Sequence, residues 1–421
     1  MASYVIVGAG PAGLYTAYRL LTGGTLQQGD TVQLYEWSER PGGRIYTYTF
    51  PDSIATDGLY VEVGGMRFAI DGTHFPGNMP GVTEGHVLLQ NLIYNLGLAN
   101  KVVPFIESPQ RMYYLRGVSI YEDQITSLGL LPYNFSSQFA SFIQSVPKPY
   151  TADSILGQIA TEFAPGLGTT NADRTAWCEY FANGTVPQQY GTTSFPAGTN
   201  ISTIGYWNLL YDQFGDEGFD YSADGTGYTS NVINWNSADA MQANNDYGSG
   251  VTYVRMDGGY GIIFEELAAQ VAVLMRGYPG SGISYGMQLT TLAESATDDT
   301  TLCYFNGNTA NPVVADQLFL AMPRRSLELV AGGCAANYPL NLDQVRYYLE
   351  SSIDQPAIKA VMVFDRAWWT SPACKYPPQL TPSGAQGVGG PTITDLPLRQ
   401  IYYFANNIPG GPGTTGGPYV L

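Results

Sequence analysis

Histidine, cysteine and charge are all scarce in this chain, and each shortage removes a class of function. Two histidines, His74 and His86, stand in 421 residues. They are too few for a typical metal cluster, so no metal site is expected. Four cysteines, Cys178, Cys303, Cys334 and Cys374, lie far apart and form no C-x-x-C pair. Isolated reduced thiols are therefore expected rather than a zinc site or a redox dithiol. No run approaches the roughly 18 apolar residues of a membrane-crossing helix, so no membrane partner is expected. Charged residues make up 13% of the chain, about half the usual quarter. Those present lean acidic, 35 against 18, for a net charge of −17. Most of such a surface repels a phosphate backbone, which argues against nucleic acid. Met1-Ala2-Ser3 leads straight into the apolar run Tyr4–Val7 and on into glycines instead of a cleavage site. A cytoplasmic location is the resulting expectation, with secretion after processing as its alternative.

Glycine and tyrosine are abundant, at 50 and 32 residues. A chain of this kind needs many shaped loops and amphipathic aromatic surfaces. At about 150 residues per domain the length suggests two to three domains, enough to enclose a cofactor.

The first segment reads as strand, turn, helix, strand. Tyr4–Val7 is a short buried strand, Leu14–Leu21 has helical character and stops at Gly23-Gly24, and Val32–Tyr35 is the second strand. Between them stands Gly8-Ala9-Gly10-Pro11-Ala12-Gly13. In this pattern Gly8 permits a tight turn, Gly10 lets backbone approach a pyrophosphate, and Gly13 lets the helix pack close to the strand. The helix N-terminus that follows offers N–H groups to the phosphates. Glu36 follows at the end of the second strand, 23 positions after Gly13, where an acid binds ribose hydroxyls. A lone G-x-G-x-x-G is a weak signal. Here the strand before it, the helix after it and the later acid all agree, so a dinucleotide-binding Rossmann unit is expected. A second glycine turn with arginines, Arg40-Pro41-Gly42-Gly43-Arg44, comes next. It suits a longer ligand, with Arg40 and Arg44 as candidate phosphate contacts.

These motifs, with several blocks further along, resemble the flavin-dependent amine oxidases. The blocks are Val61-Glu62-Val63-Gly64-Gly65-Met66-Arg67-Phe68, Asp257-Gly258-Gly259-Tyr260, Phe319–Arg324, Pro356–Lys359, Phe364–Trp369 and Thr394–Tyr403. They occur in the family's order and span most of the chain. Tyr206-Trp207-Asn208-Leu209-Leu210 and Asn234-Trp235-Asn236 are similar to bacterial and fungal L-amino acid oxidases in particular.

The resemblance implies FAD as cofactor, with Gly8, Gly10, Ala12, Gly13, Glu36, Arg40, Gly43, Arg44, Gly64, Gly65, Met66 and Arg67 along it. It implies that Arg67 clamps a substrate carboxylate beside the flavin, a task suited to a bidentate guanidinium. Tyr402 is the candidate for a second carboxylate contact. Tyr403, its neighbour on an extended strand, points to the other face. Lys359 is implied to hold a water near the reactive flavin nitrogen and to help reoxidation by oxygen. Trp368-Trp369 read as packing residues, and His86, at a helix start, as a structural histidine rather than a base.

The implied fold is α/β: a Rossmann-like FAD-binding domain in discontinuous segments (residues 1–70 and 251–325), a helical insertion (71–250), and a mixed-sheet substrate-binding domain (326–421). The implied reaction is oxidative deamination of an L-amino acid to a 2-oxo acid, ammonia and hydrogen peroxide, so the small-molecule partners are an amino acid and oxygen. A polyamine or monoamine oxidase, an amino-acid monooxygenase and a non-catalytic FAD-binding subunit are the alternatives. Arg67 speaks against the first, which has no carboxylate to hold. Gly417–Leu421 read as the start of a strand after a Gly/Pro turn, and no late flavin-contacting block follows Tyr403. A second polypeptide that completes the flavin site is therefore expected, and a homo-oligomer remains open.

Overall fold

The computed structural model describes residues 1–51, 60–70, 86–107, 111–167, 174–227, 235–246, 252–352, 357–364, 387–404 and 419–420. The chain divides into two compact units. One is Met1–Phe50, Tyr60–Pro104 and Thr252–Asp354; the other is Pro51–Leu59, Phe105–Val251 and Gln355–Leu421.

The first unit is built on a four-stranded parallel sheet. Ser3–Val7 pairs with Thr31–Tyr35 on one side and Gln317–Leu320 on the other, and Gly282–Ser284 extends it beyond Thr31–Tyr35. Strands hundreds of residues apart become neighbours, which requires crossovers over the sheet. Helix Pro11–Thr22 makes the first. Proline at its first position fits the one place where a missing N–H costs nothing, and Gly23 closes it by donating its N–H to the Arg19 carbonyl, 2.9 Å. Gly13, Leu14, Ala17 and Leu21 form its buried stripe. That stripe packs on helix Ile262–Met275, whose Ile263, Leu267 and Val271 are wholly buried. A two-stranded ladder of Thr47–Thr49 with Tyr60–Glu62 and two three-stranded sheets accompany the parallel sheet. Of the latter, one sets Thr252–Met256 between Phe68–Ile70 and Val102–Pro104; the other comprises Leu289–Glu294, Thr301–Phe305 and Val313–Ala315.

The second unit holds a mixed sheet around Gly387–Thr394, which pairs with Gln400–Phe404 and with Met112–Leu115. A glycine- and proline-rich run such as Gly387–Thr394 does not read as a strand. It is one here because the register shifts between Gly389 and Thr392, which lets Pro391 sit at a bulge where no ladder N–H is needed. The hairpin Met112–Leu115/Val118–Tyr121 turns through Arg116 and Gly117, both at positive φ (46° and 83°). The strand expected near the C-terminal end is present as Tyr419–Val420. It pairs with Val363–Phe364 and with Phe404 of this same chain, so its backbone does not need a partner from elsewhere.

Helices of this unit enclose an aromatic core, with Tyr113, Phe139, Phe163, Tyr206, Phe214 and Tyr221 all buried. Helix Tyr206–Gly225 breaks at Gly215 (φ 71°, ψ −179°). Only glycine adopts that geometry cheaply. No helix among the described residues is long and apolar enough to cross a membrane.

Candidate active site

Three glycine turns meet at the mouth of the first unit's parallel sheet. The first, Gly8–Gly13, leaves strand Ser3–Val7 and enters helix Pro11–Thr22. Gly8 has φ 105°, and a Cβ there would stand 2.5 Å from the Ala321 carbonyl oxygen. A Cβ on Gly13 would collide with the Gly8 carbonyl oxygen. The second turn, Pro41–Arg44, is joined to the first: Gly42 N–H donates to the Ala9 carbonyl, 2.8 Å. A Cβ on Gly43 would lie 3.2 Å from Gly10 Cα. The third turn, Gly64–Arg67, rests on the second, because a Cβ on Gly64 would strike the Arg44 carbonyl oxygen. Gly65 lies against the side chains of Ile45 and Tyr260.

Glu36 ties this arrangement together. Its Oε2 accepts the Ala9 N–H, 2.7 Å, and its Oε1 accepts the Ser38 N–H and hydroxyl, both 2.8 Å. Each carboxylate oxygen has two lone pairs, so capacity remains for sugar hydroxyls. Arg40 is turned inward on its own loop. It donates to the carbonyls of Pro41, Gly43 and Ile45 and lies 4.0 Å from the Tyr46 ring centroid. It shapes the turn from within, which the motif alone does not reveal. Arg44, by contrast, is exposed.

Arg67 is half-buried, with its guanidinium 4.6 Å from the ring centroid of Tyr253. Tyr253 belongs to strand Thr252–Met256, which pairs with the strand that begins directly after Arg67. Cation–π contact of this kind orients a guanidinium plane. Glu62, Thr47 and Tyr260 stand around the same turn, and motif reasoning passed them over. Glu62 Oε2 accepts the Thr47 hydroxyl, 2.8 Å, while Oε1 accepts the Tyr260 N–H, 2.7 Å. Burial, and then the charge of Glu62, push the Tyr260 phenol above its ordinary value, so it is neutral.

Every nucleotide-side residue named from the sequence, Gly8 through Arg67, thus falls in the first unit. Lys359 and Tyr402 fall in the second. Lys359 is exposed and lies in an irregular stretch four residues before strand Val363–Phe364. Tyr402 is half-buried on strand Gln400–Phe404, whereas Tyr403 is buried with its hydroxyl 3.0 Å from Thr392 Oγ1. His86 accepts the Ala69 N–H at Nδ1, 3.4 Å, a structural contact at a helix start. Trp368, Trp369, His74 and Cys374 lie outside the described residues.

The fit to a dinucleotide is good. A side chain on any of Gly8, Gly13, Gly43 or Gly64 meets backbone, and the first turn of helix Pro11–Thr22 has N–H groups without intrahelical acceptors. The profile of the flavin containing amine oxidoreductases matches residues 11–420 of this chain. The chain belongs to the flavin-containing amine oxidoreductases. Its cofactor is FAD, and its FAD-binding unit is the Rossmann-like one expected. Among individual relatives, Aplysianin-A of Aplysia kurodai is 38% identical over 136 residues, 31% of this chain and 20% of its own length. An L-amino-acid oxidase of Notechis scutatus scutatus is 36% identical over 115 residues, 27% of this chain and 17% of its own. The matched stretches thus span about a fifth of these curated relatives. The fold is similar to that of a redesigned putrescine oxidase, with TM-score 0.57 at 15% identity, over all of this chain and 74% of that one.

Proposed function

We propose that this amine oxidoreductase oxidatively deaminates an L-amino acid to a 2-oxo acid, ammonia and hydrogen peroxide. The observation that carries this reading is Arg67, braced on Tyr253 at the end of the third glycine turn. An amino acid offers a planar anion that matches the fork of such a guanidinium, which an amine without a carboxylate lacks. Relatives named L-amino-acid oxidase in a snake and in the fungus Hebeloma cylindrosporum support the same substrate class.

In this reading FAD, when bound, supplies the hydride acceptor. The residues of this chain do the holding. Gly8, Gly10 and Gly13 admit the pyrophosphate to the helix N-terminus at Ala12, and Glu36 takes the ribose hydroxyls. Gly43 gives the cofactor room, and Arg44 is free to reach a phosphate. Gly64, Gly65 and Met66 present Arg67, and Arg67 orients the substrate carboxylate. By the family resemblance, Tyr402 makes a second carboxylate contact and Lys359 serves reoxidation by oxygen. The deciding experiment is peroxide release from a panel of L-amino acids and their decarboxylated amines, with the protein as purified and with Arg67→Ala. Loss of a charge-assisted pair that leaves a buried charge costs about 2–5 kcal/mol. Amino-acid turnover should fall accordingly and amine turnover hardly at all. Equal losses on both series would mean that Arg67 does not clamp a carboxylate.

We further propose a second polypeptide that completes the flavin unit. Gln317–Leu320 is an edge strand of the parallel sheet among the described residues, with Leu318, Phe319 and Leu320 half-buried. An edge strand of this kind is a template for another strand. Mass spectrometry of the active, FAD-loaded protein should find a second chain. Full activity from the 421-residue polypeptide alone would end the idea.

A further inference from the structure

The Gly64–Arg67 turn is held from outside its own sequence. Strand Thr47–Thr49 pairs antiparallel with Tyr60–Glu62, with Thr47 opposite Glu62. Directly opposed residues project on one face, and here their side chains join, Thr47 hydroxyl to Glu62 Oε2 at 2.8 Å. The pair then reaches a third segment. Tyr260 N–H donates to Glu62 Oε1, 2.7 Å, and Gly261 N–H donates to Thr47 Oγ1, 2.9 Å. These two N–H groups lie at the start of helix Ile262–Met275, where backbone donors lack intrahelical acceptors. The segment fits only because Gly259, at φ 103°, has no side chain to meet Thr47.

Tyr260 carries this restraint back to the turn. Its ring supports Gly65, where a Cβ would lie 3.2 Å from Tyr260 Cε1, and it tilts against Phe68 at 6.0 Å between centroids. Gly65 and Phe68 flank Met66 and Arg67. The strand that carries Tyr253, the ring beneath Arg67, runs directly into the same Asp257–Gly261 turn. One carboxylate and one hydroxyl therefore lock the backbone on both sides of Arg67 and the segment that bears its stacking partner.

We propose that Glu62 and Thr47 are positioning residues for Arg67: their closed hydrogen-bond pair with the Tyr260 and Gly261 N–H groups sets the guanidinium where a substrate carboxylate meets it. This rests on the reading of Arg67 as the carboxylate ligand. A displacement of about 1 Å at such a contact costs on the order of 10²-fold in rate, so a pair that touches no substrate can still govern specificity.

The test uses the FAD-loaded protein and Thr47→Val, which keeps the side chain's shape and removes both hydrogen bonds. Flavin absorbance verifies loading. With Thr47→Val, kcat/KM for an L-amino acid should fall roughly 10- to 100-fold, mainly through KM, while the decarboxylated amine changes less than about threefold. Calorimetric titration with benzoate, an unreactive carboxylate, should show binding weakened by roughly tenfold, independent of turnover. Thr47→Ser restores the hydroxyl and should rescue both readouts. Glu62→Gln retains an acceptor for Tyr260 N–H and should fall between. The inference is overturned if Arg67→Ala discriminates amino acid from amine but Thr47→Val does not, or if Thr47→Ser fails to rescue. Should Arg67→Ala itself hit both substrates equally, the reading of Arg67 fails and takes the positioning role with it.

Discussion

The two units hold together by different means. In the first, the chemistry-bearing turns close on one another backbone to backbone, Gly8 on Ala321, Gly42 on Ala9, Gly43 on Gly10 and Gly64 on Arg44, and the side chains of Glu36, Thr47 and Glu62 brace them. In the second, the described residues are joined by side chains. Arg116 donates its backbone N–H to Asp395 and its guanidinium to Glu217 and Asp220. Arg111 bridges Glu122 and Asp153. Arg399, at φ 53°, donates to the carbonyls of Ala223 and Asp224 and pairs with the Asp224 carboxylate, which also accepts the Tyr133 hydroxyl. A pyrophosphate site needs close backbone approach, so glycine does the work. The second unit's core is built of large rings, and tyrosine and arginine tie its segments together.

Two substitutions put that contrast at risk. The larger effect is expected from Gly8→Ala. It forces an L side chain to φ 105° and drives its Cβ into the Ala321 carbonyl. A left-handed residue and an overpacked contact together cost about 2–5 kcal/mol. Flavin absorbance after purification should be largely lost. Normal flavin content would show that the turn yields, and the backbone account of the first unit would fail. A smaller effect is expected from Arg399→Ala, which strands Asp224 and the last carbonyls of helix Tyr206–Gly225. Loss of charged hydrogen bonds of this kind costs about 2–3 kcal/mol. Thermal unfolding should move down by several degrees, and Arg399→Lys should recover part of it. An unchanged midpoint would mean that the aromatic core, not the charged hubs, holds the second unit.

The same contrast explains which elements were legible beforehand. The strand–turn–helix–strand opening emerged within a few residues of its observed bounds because its signals are local: apolar runs, the glycine turn before the helix, Gly23-Gly24 at its end. Gly387–Thr394 was missed because glycine and proline argue against a strand until the bulge at Gly389–Thr392 is seen. The Met112–Leu115/Val118–Tyr121 hairpin was missed because Arg116 is a poor residue for positive φ, held there by Asp395 and Glu217 from far along the chain.

For the site, residue types and spacing name the glycines and Glu36 as candidates, because nucleotide binding demands a particular backbone freedom, whereas Arg67 is named by the family resemblance. Spacing could not assign Arg40, whose guanidinium has phosphate-binding chemistry yet lies on its own loop's carbonyls and the Tyr46 ring. Nor could it find Tyr253 beneath Arg67, or Glu62 and Thr47 behind it. Those relations join segments from 15 to more than 200 positions apart, and only the folded chain brings their donors and acceptors within 3 Å. Local motifs state what a turn is able to hold; long-range hydrogen bonds and ring contacts decide where its side chains stand.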